Sequence, residues 1–339
     1  MRVLVIGGTL FIGKLLVKRL LAEGHEVTVL HRKKENPFGR KVRNVEADRN
    51  DAAAVKAALS GLRFDAVYDI AYDLERGTTG AQVGATAQAI PGEITRYIFM
   101  SSVSAYGDGL NHAEDDPLAS DIHHEAYVRN KAGGERELFR LWHESRFPVV
   151  TMRPPFVYGS ENPFYRETFF WDRLRNDRPI IIPGDGNRLM QFCYVNDLVE
   201  ACFGALTRHT APGRAFNIAD EKPLTQVEVV TEMAKAMGKT PTLVRVPRDL
   251  IHRHGGNAMV PPYYFGQYLD LPPITEAIGR VKRVLNLSLT PFATGLKDTL
   301  KWYQRQPGFK KKVDFSFEDK LIKAAKDLGA AKDVARPGP

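Results

Sequence analysis

Short, wholly apolar runs alternate with longer stretches in which apolar residues recur at helical spacing through the first 155 residues. That rhythm predicts strand, crossover helix, strand, repeated. Arg2 to Ile6 reads as a buried strand, and Phe11, Ile12, Leu15, Leu16 and Leu20 give one apolar helical face over Phe11 to Ala22, with Gly24 to end it. Further strands are expected at His25 to Leu30, Val42 to Ala47, Ala66 to Ala71, Tyr97 to Ser101 and Pro148 to Met152. Helices are expected near Ala52 to Leu59, Gln82 to Ala89 and Ala126 to His143. The pattern predicts an α/β fold with a doubly wound, mainly parallel, Rossmann-type sheet.

Beyond Arg153 the rhythm breaks at Pro154-Pro155 and an aromatic passage follows, from Phe156 to Trp171. A strand and helix return near Phe192 to Leu206, then a strand at Ala215 to Ile218 and a helix from Thr225 to Met237. The chain is therefore divided into a doubly wound sheet domain (residues 1–155 and 190–222), a smaller mixed lobe (156–189 and 223–308) and a basic C-terminal tail (309–339), the first the candidate for a nucleotide and the second for a substrate if the motifs they carry bear chemistry. The run Pro261 to Tyr268 is too aromatic to be left bare in water, and reads as a lobe interface or a substrate wall.

Composition narrows the picture. A 339-residue chain that is 43% hydrophobic can fill a large core, and no apolar run is long enough to span a bilayer. Cys193 and Cys202 form no short metal-type or redox pair, so a reduced, cytoplasmic setting is expected. Lysine plus arginine is 48 against 40 acids, a formal charge of +8 that favours anionic ligands. Part of it sits in Lys310-Lys311-Lys312, which reads as a solvated tail because no aromatics interleave it.

Candidate chemistry begins four residues in, at Val5-Ile6-Gly7-Gly8-Thr9-Leu10-Phe11-Ile12-Gly13. A strand-to-helix turn binds phosphate because the first helical amides lack internal partners and the dipole end is positive. Gly7 and Gly13 occupy the outer places of a spaced-glycine pattern, while Leu10 stands where a third glycine is usual and Gly8 permits the close approach. At the end of the second strand, where an acid ordinarily meets the adenosine ribose, stands Leu30-His31-Arg32-Lys33-Lys34. The Arg32 guanidinium favours a 2′-phosphate, hence NADP over NAD. Asp48, ending the next strand, is placed to meet the adenine amino group.

Tyr127 and Lys131 are four apart on a predicted helix and share a face. A neighbouring ammonium stabilises phenolate, and Ser102, after another strand, is placed to donate to the same substrate oxygen. The three form a candidate acid/base site.

The combination of Gly7-x5-Gly13, Ser102, Tyr127-x3-Lys131 and Arg153-Pro154-x-x-Val157-Tyr158-Gly159 resembles the extended short-chain dehydrogenase/reductase superfamily, in particular its NAD-dependent epimerase/dehydratase branch. The likeness runs over about residues 1 to 305. It implies that Tyr127 is the acid/base, that Lys131 binds the nicotinamide ribose and tunes Tyr127, and that Ser102 orients the reacting oxygen. It also implies cofactor contacts from Gly7, Thr9, Leu10, Phe11, Ile12, Gly13, His31, Arg32, Asp48, Arg49, Ile70, Ala71, Pro154 and Phe156. Substrate contacts are expected from Ser104, Phe164, Arg188 and Tyr264, and a homodimer is expected through the helix that carries Tyr127.

The departures matter as well. Leu10, the absent second-strand acid and the run Ala47-Asp48-Arg49-Asn50-Asp51 are similar to an atypical subgroup that includes chloroplast stem-loop-binding proteins. Those relatives bind RNA, so a non-catalytic or RNA-binding member with a structural dinucleotide is the alternative to an enzyme. Sugar-nucleotide epimerases carry an arginine before the acid that corresponds to Asp197. Here the chain reads Met190-Gln191-Phe192, and Arg188 is the candidate replacement for gripping a diphosphate. A nucleotide sugar is thus the candidate substrate class, with epimerisation, reduction and dehydration all open. His123-His124-Glu125 reads as a surface loop and Cys193 as a buried inert thiol; no metal is expected.

Overall fold

The structure, a computed structural model, describes residues 1–329 and the backbone of Lys332 and Asp333. These fall into two compact units. The first comprises Met1–Val157, Phe192–Glu221 and Ile274–Leu289.

In the first unit, strands β1 (Arg2–Ile6), β2 (Glu26–His31), β3 (Arg43–Glu46), β4 (Ala66–Asp69) and β5 (Arg96–Met100) alternate with helices α1 (Phe11–Ala22), α2 (Ala52–Ala58) and α3 (Gly80–Gln88). A short strand β6 (Gly109–His112), helix α4 (Ala126–Ser145) and strand β7 (Val149–Arg153) follow. With the strand Arg214–Asn217 they build a seven-stranded sheet in the order Arg214–Asn217, β7, β5, β4, β1, β2, β3. Every pairing in it is parallel.

Successive side chains of a strand point to opposite faces, and β1 is buried on both. Val3 and Val5 pack with Leu16, Val17 and Leu20 of α1 and with Leu198 and Cys202 of the helix Val195–Thr207. Leu4 and Ile6 pack on the other face with Val55, Val83 and Leu138. The sheet is thereby covered twice, and the carboxyl ends of its strands are left to carry chemistry. Helices α3 and α4 approach closely: a Cβ on Gly80 would lie 2.5 Å from the Gly133 carbonyl carbon.

The second unit comprises Tyr158–Gln191, Lys222–Pro273 and the chain from Thr290 onward. Its core gathers Phe169, Phe170, Trp171, Tyr264, Phe265 and Tyr303, and the Trp171 indole donates to the Met233 carbonyl at 3.2 Å. Strand Ile180–Pro183 runs parallel to Leu243–Val246.

The division departs from the pattern-based boundaries in two places. Residues 274–289, which periodicity assigns to the substrate lobe, rejoin the first unit because Val281 and Leu285 pack into its core. The stretch read as a basic tail contains helix Ser316–Asp327, whose Leu321 and Ala325 are buried and whose Glu318 pairs with the buried Arg173. Lys310, Lys311 and Lys312 are exposed, as are Lys320, Lys323 and Lys326 on that helix, and of Lys332 only the backbone is described.

Candidate functional site

The turn after β1 is held by backbone. Gly7 has φ +88°, its amide donates to the Leu30 carbonyl at 3.0 Å, and a Cβ on it would meet the Ala71 nitrogen at 2.9 Å. Gly13, one turn into α1, packs against the Gly7 carbonyl so closely that a Cβ would sit 2.1 Å from that oxygen. These two positions require glycine; position 10 does not. Leu10 is the extended residue before α1 and faces solvent, with no side-chain cap on the helix. Phe11 takes the strain instead, with φ 42° and a buried ring, while Thr9 and Ile12 are half-buried. The uncapped start of α1 thus opens beside Gly7 with its positive dipole end available to an anion.

A cleft of about 160 Å³ continues from Gly7 along the ends of β2 and β4, lined also by His31, Arg32, Asp48, Arg49, Ala71 and Tyr72. The amides of Ile70 and Ala71 both donate to the Ile6 carbonyl, which ties this wall to the turn. Arg32 donates to Asp73 at 3.1 Å, and Arg76 donates to both Asp73 and Asp48. The Arg76 amide, followed by its guanidinium and the Glu75 amide, holds the Asp73 carboxyl down at about 2, below the usual carboxylate range. His31 pairs with Asn44 at 2.7 Å, and Arg49 forms a buried ion pair with Asp69, which also accepts from the Tyr97 hydroxyl at 2.9 Å. Two Arg49 nitrogens, Nε and Nη1, have no hydrogen-bond partner.

At the end of β5, Lys131 and Tyr127 come together. The Lys131 ammonium is buried and donates to the Met100 carbonyl at 2.7 Å. It lies 5.7 Å from the Tyr127 ring centre and 4.9 Å from that of Tyr72. Burial pushes its pKa down to about 8. Tyr127 is 36% exposed and meets the Tyr72 ring edge-on at 5.0 Å. Ser102, two residues beyond Met100, accepts from the Ser104 amide at 3.2 Å, which leaves its hydroxyl proton free to be donated. Ser104 lies in the same short 3₁₀ turn, Val103–Tyr106, and the Pro154 carbonyl accepts from the Val103 amide. Phe156 packs against Phe192 at 6.0 Å.

The other expected substrate contacts belong to the second unit. Phe164 packs edge-on to Tyr268 under the Arg166 guanidinium. Arg188 donates to Asp270, and Tyr264 is buried with its hydroxyl given to the same carboxylate at 2.9 Å. Tyr264 therefore acts within the lobe's own packing. Among the described residues no group of three His, Cys, Asp or Glu side chains is placed to hold a metal ion, and no helix is long and apolar enough to cross a membrane. Cys193 and Cys202 are buried, and burial pushes the Cys202 thiol up to about 12.

Pattern reading did not single out Tyr72, Asp73, Arg76 or Asp69. Tyr72 and Asp73 directly follow Ala71 at a strand end, where α/β sheets place ligand contacts, and that position was the available signal.

Residues 3–219 match the model of the NAD dependent epimerase/dehydratase family. The chain is 28% identical to the chloroplast stem-loop binding protein of 41 kDa b of Arabidopsis thaliana, over 95% of this chain and 84% of that protein. It is 25% identical to the mouse (Mus musculus) dTDP-D-glucose 4,6-dehydratase over 62% of its own length, spanning 56% of that protein. Among solved structures, the dTDP-glucose 4,6-dehydratase of Bacillus anthracis in complex with NAD superimposes with a TM-score of 0.73 at 18% identity, covering 91% of this chain and 98% of that one. By the extent of the family match, this chain belongs to the NAD dependent epimerase/dehydratase family.

Proposed function

We propose that the protein is an NAD(P)-dependent oxidoreductase or epimerase that acts at a carbinol carbon of a small molecule, with a nucleotide sugar as the substrate class. The observation that carries this reading is the buried Lys131 ammonium, fixed by Met100 beside the Tyr127 ring. A protein using the dinucleotide only as a structural element would use Lys131 for the ribose but has no need of the Tyr127 phenol beside it.

The residues fit the cofactor. The glycine-walled turn and uncapped α1 suit a pyrophosphate, the Arg32 side of the cleft suits the adenosine ribose, and Lys131 suits the second ribose. Bound there, the nicotinamide would accept or return a hydride at the substrate carbon. Tyr127 would take the carbinol proton as the carbon is oxidised and give a proton back on reduction. Lys131 favours the phenolate through its positive charge, and the Ser102 hydroxyl holds the reacting oxygen. Arg32 inclines the chain toward NADP. The NAD-bound dehydratase and the mouse relative motivate a nucleotide sugar.

The test is to titrate the full chain with NAD⁺ and NADP⁺ by calorimetry, and then to follow nicotinamide absorbance after adding UDP-glucose or dTDP-glucose. Binding of a dinucleotide followed by an absorbance change supports the reading; no dinucleotide binding overturns it.

A second reading, RNA binding, has its own observation. A separate cleft of about 610 Å³ beside the edge strand Arg214–Asn217 is lined by Arg214 and Arg283, by Arg280 paired with Asp115 and Glu114, and by the buried Arg153, and a relative carries stem-loop binding in its name. A steeply salt-dependent RNA affinity, lost in Arg214→Ala with Arg283→Ala, would favour it; no affinity at low salt would dismiss it.

A further inference from the structure

We propose that Arg76 joins Arg32 as a two-guanidinium clamp for the 2′-phosphate of a bound dinucleotide, with Asp73 as the residue that positions both. The inference rests on the dinucleotide reading above and deepens it. Arg32 follows β2 and Arg76 lies in the loop after β4, yet both reach one oxygen. Asp73 Oδ2 accepts from Arg32 Nη1 at 3.1 Å and from Arg76 Nε and Nη2 at 2.8 and 2.7 Å. Asp73 Oδ1 accepts from the amides of Glu75 and Arg76, each at 3.0 Å.

Counting donors decides what this cluster can recognise. A carboxylate offers about four lone-pair sites. Asp73 receives five hydrogen bonds, so nothing is left for the ribose hydroxyls that an acid at this end of a nucleotide cleft would ordinarily bind. Asp48 accepts from the Asn50 amide at 3.0 Å and from Arg76 at 2.5 Å, which ties Arg76 to a second acid and leaves Asp48 acceptor capacity of its own.

The guanidiniums are in the opposite position. Each carries five N–H groups in a rigid fork. Arg32 gives one of them, from Nη1, to Asp73, and Arg76 turns Nε and Nη2 inward, leaving Nη1 outward. Arg32 and Arg76 side chains are 60% and 53% exposed, against 6% for Asp73. The acid lies within and the spare donors lie outward; Arg32 lines the cleft that begins at Gly7, and Arg76 is bonded to Asp48 and Asp73, which line it too. A planar fork with free N–H groups pairs with phosphate through parallel, charge-assisted hydrogen bonds, which are stronger than the neutral bonds it could give a ribose hydroxyl. The Asp73 carboxylate thus holds two side chains that would otherwise lose rotamer freedom on binding.

The experiment uses two small probes that differ in the one group at issue. The full chain is titrated by calorimetry with 2′,5′-ADP and with 5′-AMP. The expected result is at least about tenfold tighter binding of 2′,5′-ADP, a preference that shrinks as salt is raised. Arg76→Ala and Arg32→Ala should each remove most of that preference, read as the ratio of the two affinities in the same variant. Arg76→Lys, which keeps charge and loses the fork, should restore it only in part. Asp73→Asn should lower the preference by releasing both guanidiniums, without altering 5′-AMP binding. Equal affinity for the two probes, or an Arg76→Ala variant that keeps the whole preference, overturns the clamp and leaves the dinucleotide reading standing. If neither probe binds, both fall.

Discussion

Lys131 Nζ donates to the Met100 carbonyl at 2.7 Å, so the end of β5 and the face of α4 are joined by a buried ammonium. The bond fixes where the charge lies relative to Tyr127, whose ring centre is 5.7 Å away. A single turn of helix supplies the phenol and the cation, and the neighbouring strand supplies the acceptor that holds the cation still.

Burial lowers the Lys131 pKa from 10.5 to about 8 in the folded chain. Between those values the unfolded chain keeps a proton that the native chain has lost, so unfolding free energy rises with pH across the window and the contribution is lost as pH falls through about 8. Lys131→Met should remove this slope. The gap between the two proteins should change by on the order of 3 kcal/mol from pH 8 to 10.5, measured by urea unfolding. Parallel pH profiles in the two proteins would contradict it.

Arg153 and Glu135 form a buried pair, with Arg153 Nε and Nη2 both donating to the carboxylate and Thr151 donating to it at 3.1 Å. Removing one member leaves an uncompensated charge in the interior. Glu135→Ala should cost about 3 to 5 kcal/mol in denaturant unfolding, and adding Arg153→Met should recover much of it. A loss under about 1 kcal/mol would mean that the site relaxes or admits water.

Two glycines separate a turn built for close approach from a turn that merely needs a positive φ. In Gly13→Ala the new methyl meets the Gly7 oxygen and the Gly8 Cα, both backbone, so the turn must open. Stability and dinucleotide affinity should both drop, the latter by more than about tenfold. Gly24 has φ +76° with nothing within 4 Å, so Gly24→Ala should cost about 1 kcal/mol and leave nucleotide binding intact. Calorimetric titration with NADP⁺ distinguishes the two outcomes.

What the pattern of residues disclosed was whatever depends on local period. The alternation in Val3-Leu4-Val5-Ile6, buried on both faces, and the apolar face of Phe11–Ala22 are local facts, and the sheet follows from them. Tyr127 and Lys131 were legible for the same reason, since a helix places residues four apart on one face. Asp73 and Arg76 were not, because their partners Asp48 and Arg32 lie on other segments and only the sheet order brings the ends of β2, β3 and β4 together. The return of Val281 and Leu285 to the first core is another long-range contact that no local period records.

The central claim, that Tyr127 moves the proton beside a dinucleotide, is tested most directly by turnover in Tyr127→Phe. The variant is compared with the unaltered chain on whichever of UDP-glucose and dTDP-glucose the latter converts, with NADP⁺ affinity measured on the same samples. The account predicts a loss of about 10²- to 10⁴-fold in turnover with the dinucleotide dissociation constant within about twofold. A Tyr127→Phe variant that turns over at the full rate would contradict it.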